Sequence, residues 1–119
     1  MEQSKRQKQV ARLIQEEMNV LFQRNGLNTA GGGMVSISEV EVTPDLLEAR
    51  IYLSFFKVDQ PEATLTLIQE KTPELRGLLG NKLRHQLRRI PELQFVRDET
   101  LDQVFKMEEL FKKIKTDPK

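Results

Sequence analysis

The sequence predicts an α+β domain built in the order helix, strand, strand, helix, kink, helix, strand, helix, with a three-stranded sheet covered by helices on one face. Three observations predict it. Apolar residues recur at three- and four-residue spacing over residues 10–22 and 75–87, they alternate with polar residues over 35–42 and 49–55, and a proline interrupts a helical stretch at position 73. With 119 residues and 38% hydrophobic content the chain can bury one modest core, so residues 1–119 are read as a single domain.

Val10, Leu13, Ile14, Met18, Leu21 and Phe22 mark an amphipathic first helix that starts near Ser4 and stops at Asn25-Gly26. Gly31-Gly32-Gly33 then reads as a flexible connector. It is not a phosphate loop, since it lacks a following lysine and serine or threonine and leads into a strand. Val35 and Ile37 alternate with polar residues before the phase slips to Val40 and Val42, which predicts a β-bulge near Ser38-Glu39. Turn chemistry at Thr43-Pro44-Asp45 and renewed alternation at Ala49, Ile51, Leu53 and Phe55 predict an antiparallel strand pair.

Pro61 opens a second helix, with Leu65 and Ile68 in its buried stripe, that yields near Lys71. Pro73 disfavours the helical conformation at Thr72, so the helix kinks and restarts, with Thr72 as the expected N-cap and an expected end near Arg89. Leu75, Leu78, Leu79, Leu83 and Leu87 form its core face. Leu93 and Phe95 define a third strand ending at Asp98. A last helix is expected from about Thr100, whose spacing to Gln103 suits a capping box, with Leu101, Val104, Phe105, Leu110, Phe111 and Ile114 as apolar positions. Residues 115–119 are expected to fray.

Several function classes are excluded early. There is no cysteine, hence no disulfide, thiolate metal site or thiol nucleophile. No stretch approaches the ~20 apolar residues of a membrane span, and the basic N-terminus lacks a signal peptide's apolar centre, so a cytoplasmic protein is expected. The single histidine, His85, has no partners at metal-ligand spacing and no evident nucleophile; it either stacks on a base or is solvated. No enzyme activity and no cofactor are expected.

Charge is the positive signal. A formal net charge of +1 conceals +3 over residues 1–12, −5 over 13–71, +4 over 72–91 and −1 over 92–119. Such local stripes are the usual footprint of a phosphate-bearing partner. The stretch 72–91 holds five cations against Glu74, so the acids that normally pair with cations at four-residue spacing are missing. Gly77, at a cost of about 1 kcal/mol relative to alanine, shares a helix face with Asn81, Arg84 and Arg88, where a missing side chain lets backbone approach a partner. Gly80 lies nearer the leucine edge and is assigned to packing.

The element order matches the type II KH arrangement, in which a helix–turn–helix beside a three-stranded sheet forms a nucleic-acid groove. Four fragments make the likeness specific: Arg6-Gln7-x-x-Val10-Ala11-x-x-Ile14-Gln15, Val40-x-Val42-x-x-Asp45-Leu46-x-x-Ala49-x-Ile51-Tyr52-x-Ser54, Leu75-Arg76-x-x-Leu79-Gly80, and Pro91-Glu92-Leu93-x-Phe95-x-x-Asp98. In this order, over roughly residues 5–114, the chain resembles the bacterial ribosome-binding factor A family. The resemblance implies a non-enzymatic factor that binds the immature small ribosomal subunit and promotes rRNA maturation at the 5′ end, with a ribosome-associated GTPase taking part in its release. The chain departs from that family at the kink, where Lys71-Thr72-Pro73-Glu74 replaces an Ala-x-Gly pattern. It also carries two extra residues between Gly80 and Pro91.

The candidate RNA contacts are Lys71, Thr72, Arg76, Gly77, Asn81, Lys82, Arg84, His85, Arg88 and Arg89, with Lys5, Arg6, Lys8 and Arg12 of a basic N-terminal arm that orders on binding. Aromatic residues are few, so recognition by shape and phosphates is expected to outweigh base stacking. The protein is expected to act as a monomer. The competing reading is a KH-like interaction module that binds no RNA and presents Glu39, Glu41, Asp45 and Glu48 to a basic protein.

Overall fold

Ser4 starts the first helix, α1 (Lys5–Arg24), through a reciprocal cap: its hydroxyl accepts the Gln7 amide at 3.2 Å, and the Gln7 side-chain oxygen accepts the Ser4 amide at 2.7 Å. The helix buries Val10, Ala11, Ile14, Met18, Leu21 and Phe22, and Gly26 leaves it in the left-handed conformation at φ 70°. A computed structural model of the protein describes residues 4–98. The last helix and the frayed tail expected from the sequence lie outside them.

After a 3-10 segment at Leu27–Gly32 come β1 (Met34–Val42) and β2 (Glu48–Phe56), an antiparallel pair whose register shifts between Ile37 and Glu39, where the bulge was expected. Helices α2 (Pro61–Glu70) and α3 (Thr72–Leu83) follow, and β3 (Glu92–Arg97) joins β2 in parallel, giving the sheet order β1-β2-β3. One residue, Lys71, separates the two helices, at φ −89° and ψ 4°. Pro61 and Pro73 occupy the first and second positions of their helices, where a missing N–H leaves no bond unmade.

Alternation does the rest. Val35, Ile37, Val40, Val42, Ala49, Ile51, Leu53, Phe55, Leu93 and Phe95 point to one side of the sheet and join the apolar stripes of the helices in one cluster. Helix α1 lies against β1 and α3, and the Phe22 and Phe95 rings meet at 6.0 Å between centroids.

The structure corrects four expectations. Helix α3 stops at Leu83 instead of running to Arg89. Residues 84–86 turn, with the Gln86 and Leu87 amides both bonding the Leu83 carbonyl, and this return tucks Leu87 into the core. Arg84 therefore caps α3, and Arg88 lies past the regular helix that was expected to carry both. Thr72 is not the N-cap: Lys71 holds that place with no side-chain cap, and Thr72 is the first helical residue. The triple glycine is no slack connector, since Gly31 and Gly32 adopt φ 79° and 84°, and a Cβ on Gly33 would collide with the carbonyl of Phe56 and the backbone of Lys57. Lastly, Lys5, Arg6, Lys8 and Arg12 do not form a loose arm. They ride on the first turns of α1, anchored by buried Gln7.

Candidate nucleic-acid interface

Two backbone events shape the basic region. The break at Lys71 turns α3 away from α2 while keeping its chain of hydrogen bonds, with Lys71 N–H on the Ile68 carbonyl and Leu75 N–H on the Lys71 carbonyl. Lys71 and Thr72 are half-buried at this bend. The second event is the early end of α3. Because Leu83 and Leu87 both face the core, the residues between and after them are pushed outward, and Arg84, His85, Arg88 and Arg89 are all exposed, as are Asn81 and Lys82 on the last helical turn.

Arg76 has a different task. Its Nε donates to the Pro91 carbonyl at 3.1 Å and its Nη2 to the Ile90 carbonyl at 2.7 Å, tying α3 to the segment that enters β3. Sequence reasoning treated it as an RNA contact alone and missed this clamp. No periodicity signals a side-chain bond to a loop carbonyl fourteen residues away.

Ion pairing separates the remaining cations. Among the described residues the ion pairs are Arg12–Glu16 at 3.0 Å, Arg50–Glu41 at 3.9 Å and Arg97–Glu62 at 2.7 Å. Lys82, Arg84, Arg88 and Arg89 enter none of them. Cations at a helix C-terminus gain about 0.3–1 kcal/mol from the helix dipole, which gives Lys82 and Arg84 some reason of their own. Arg88 and Arg89 lie past the helix and have none. In the first helix, Arg12 is occupied by Glu16, whereas Lys5, Arg6 and Lys8 are exposed and enter no ion pair among the described residues.

The topology brings the two basic clusters to one end of the sheet. Gln7 bonds the carbonyl of Val42, the last residue of β1, so the start of α1 sits at the β1–β2 hairpin. The Glu92 amide bonds the Leu47 carbonyl in that same hairpin, so the loop ending at Pro91 arrives there too. A cavity of about 560 Å³ opens at this end, lined in part by Gln7, Glu41, Glu48, Arg50 and Glu92.

The acids of the hairpin are partly consumed by the fold. Asp45 accepts the Thr43 hydroxyl at 2.6 Å and the Leu47 amide at 3.1 Å, which hold its pKa below the ordinary value, the Thr43 bond contributing most. Glu41 accepts the Tyr52 hydroxyl at 3.3 Å and lies beside Arg50. Among the described residues no group of three or more His, Cys, Asp or Glu side chains could hold a metal, and no helix is long and apolar enough to cross a membrane.

Residues 6–111 match the family model described as Ribosome-binding factor A. A ribosome-binding factor A from Cytophaga hutchinsonii is 40% identical over 112 residues, spanning 94% of this chain and 84% of that one. Another from Chlorobium luteolum is 34% identical over 115 residues, spanning 96% and 95%. Among solved structures, the crystal structure of ribosome-binding factor A from Thermus thermophilus superposes with a TM-score of 0.54 at 20% identity, covering 76% of this chain and 90% of its own. A homology model of the Thermus thermophilus factor, fitted into a cryo-electron-microscopy map of its complex with the 30S subunit, gives 0.58 at 20% identity over 82% and 96%. With its KH-like α+β fold and a match running through nearly the whole chain, this protein belongs to the ribosome-binding factor A family.

Proposed function

We propose that the protein is a non-catalytic assembly factor that binds the immature small ribosomal subunit through its RNA and promotes maturation of the rRNA 5′ end. Lys82, Arg84, Arg88 and Arg89 grip phosphates, with His85 beside them to stack on a base, Lys5, Arg6 and Lys8 adding charge from the same end of the sheet and Asn81 donating from the α3 face. The observation that carries this reading is the run of exposed cations around Leu87, unpaired among the described residues, in a chain whose net charge is only +1.

The mechanism is occupancy. Electrostatic binding holds a rearranging rRNA region in its immature geometry until completed folding, aided by a ribosome-associated GTPase, displaces the protein. The half-buried bend at Lys71-Thr72 orients α3 without close backbone contact to RNA. The same reading has the protein act as a cytoplasmic monomer.

Sedimentation of a cell lysate through a gradient tests this. The protein is expected with free small subunits and depleted from mature ribosomes. Sedimentation with mature ribosomes only, or with neither, overturns the reading.

A further inference from the structure

Gly77 is the residue the fold explains least. It lies inside α3 without a positive φ, at a position where alanine is the better helix former. A Cβ placed on it would meet nothing within 4 Å. Gly80 differs, since its added Cβ would rest against the Ile90 side chain at 3.5 Å, an ordinary packing contact. The bare helix surface at Gly77 serves no turn and no close approach within the described chain.

That surface is one wall of an open hollow of about 440 Å³ lined by Pro73, Arg76, Gly77 and Ile90. Its size lies within the range of small-molecule pockets. Pro73 and Ile90 make it largely apolar. Arg76 makes it more than apolar: with Nε and Nη2 both held by loop carbonyls, its guanidinium plane is fixed before any ligand arrives. Fixed guanidinium planes are stacking partners for flat heteroaromatic rings, and unstacked bases of single-stranded RNA are commonly held this way. Ile90, at the rim, directly follows the exposed cations Arg88 and Arg89.

We infer that the hollow receives one unstacked nucleobase of a single-stranded RNA segment whose phosphates lie on Arg88 and Arg89. The inference rests on reading the basic stretch as an RNA site and adds to it a place for a base. It gives Gly77 a purpose, because any longer side chain there would fill the hollow. It also assigns Arg76 two roles in one geometry, loop clamp and stacking plane.

The test compares two fluorescein-labelled probes of equal length by anisotropy: a ten-nucleotide uridine RNA and the same ribose-phosphate backbone without bases. Wild type is expected to bind the uridine probe about five- to tenfold more tightly, the size of one base-stacking contact. Gly77→Ala and Gly77→Leu are both expected to raise the thermal midpoint through better helix propensity, alanine at least as much as leucine, while Gly77→Leu abolishes that preference and Gly77→Ala only reduces it. A merely structural glycine would instead lower the midpoint. Arg84→Glu with Arg88→Glu is expected to weaken binding of both probes together. If wild type binds both probes equally, or Gly77→Leu keeps the preference, there is no base in the hollow although the phosphate site stands. If wild type binds neither probe, the RNA reading falls and this inference falls with it.

Discussion

The side-chain Nε2 of Gln7 donates a 2.7 Å hydrogen bond to the Val42 carbonyl, joining the first turn of α1 to the last residue of β1, and both residues are buried. The other end of the same amide closes the helix cap on Ser4. Gln7→Ala leaves a buried carbonyl short of a partner and removes the side-chain half of the cap, at a cost of about 1–3 kcal/mol in urea unfolding. A loss below about 0.5 kcal/mol would mean that the contact is idle. Deleting residues 1–8 therefore removes part of the fold along with three cations. Changing Lys5, Arg6 and Lys8 to Gln is the cleaner probe of charge.

Gly33→Ala is predicted to destabilise the protein by more than about 2 kcal/mol, because the new Cβ is forced against the Phe56 carbonyl and the Lys57 backbone, neither of which can rotate away. A slack connector would tolerate the change. Thermal unfolding of the variant decides between the two, and an unchanged midpoint contradicts the packed geometry.

Pro73 sits at the second position of α3, just past the one-residue break at Lys71. Pro73→Ala restores a hydrogen-bond donor there and lets α2 and α3 move toward a continuous helix. Stability is predicted to change by less than about 1 kcal/mol, while affinity for small subunits falls severalfold. An unchanged bend in the variant's structure together with wild-type affinity would show that the proline is dispensable.

Asp45 supplies a pH signature. Its pKa in the folded chain lies below the usual 3.8, because the charged carboxylate accepts the Thr43 hydroxyl and the Leu47 amide. A depressed folded-state pKa adds stability that is present above the unfolded-state value and is lost as pH falls through the folded value. Asp45→Asn keeps an acceptor but loses the charge. Its urea midpoint should fall below wild type near neutral pH, by a small amount because the group is exposed, and the gap should close as pH falls through the folded-state pKa. A gap that stays constant with pH contradicts this account of the turn.

Much of the architecture was legible in the sequence because local chemistry and tertiary structure agree there. Ser4 and Asn25-Gly26 bound α1, Val35 to Val42 carry the slipped phase of a bulge, and Pro61 opens α2. The end of α3 was not legible. Leu79, Leu83 and Leu87 keep a perfect four-residue spacing, yet Leu87 reaches the core through a turn, and periodicity cannot tell a turn from a further helical turn when both deliver the same side chain inward. The triple glycine misled in the same way, since composition reports freedom in the unfolded chain but not the backbone of Phe56 and Lys57 pressed against Gly33. In the candidate site, the cations could be read from charge alone, whereas the Arg76 clamp depends on where Ile90 and Pro91 fold back and has no local signal.

The proposed function puts RNA phosphates on Arg84 and Arg88. The most direct measurement is the affinity of labelled protein for purified small subunits over a range of salt concentrations, for wild type and for Arg84→Glu with Arg88→Glu. Both residues are exposed and, among the described residues, unpaired, so the double variant should stay folded, with stability within about 0.5 kcal/mol per substitution. Wild-type affinity should fall linearly on a log–log plot against salt, and the variant should bind far more weakly with a slope shallower by about two units. A folded double variant that binds small subunits with wild-type affinity and an unchanged slope would contradict the account.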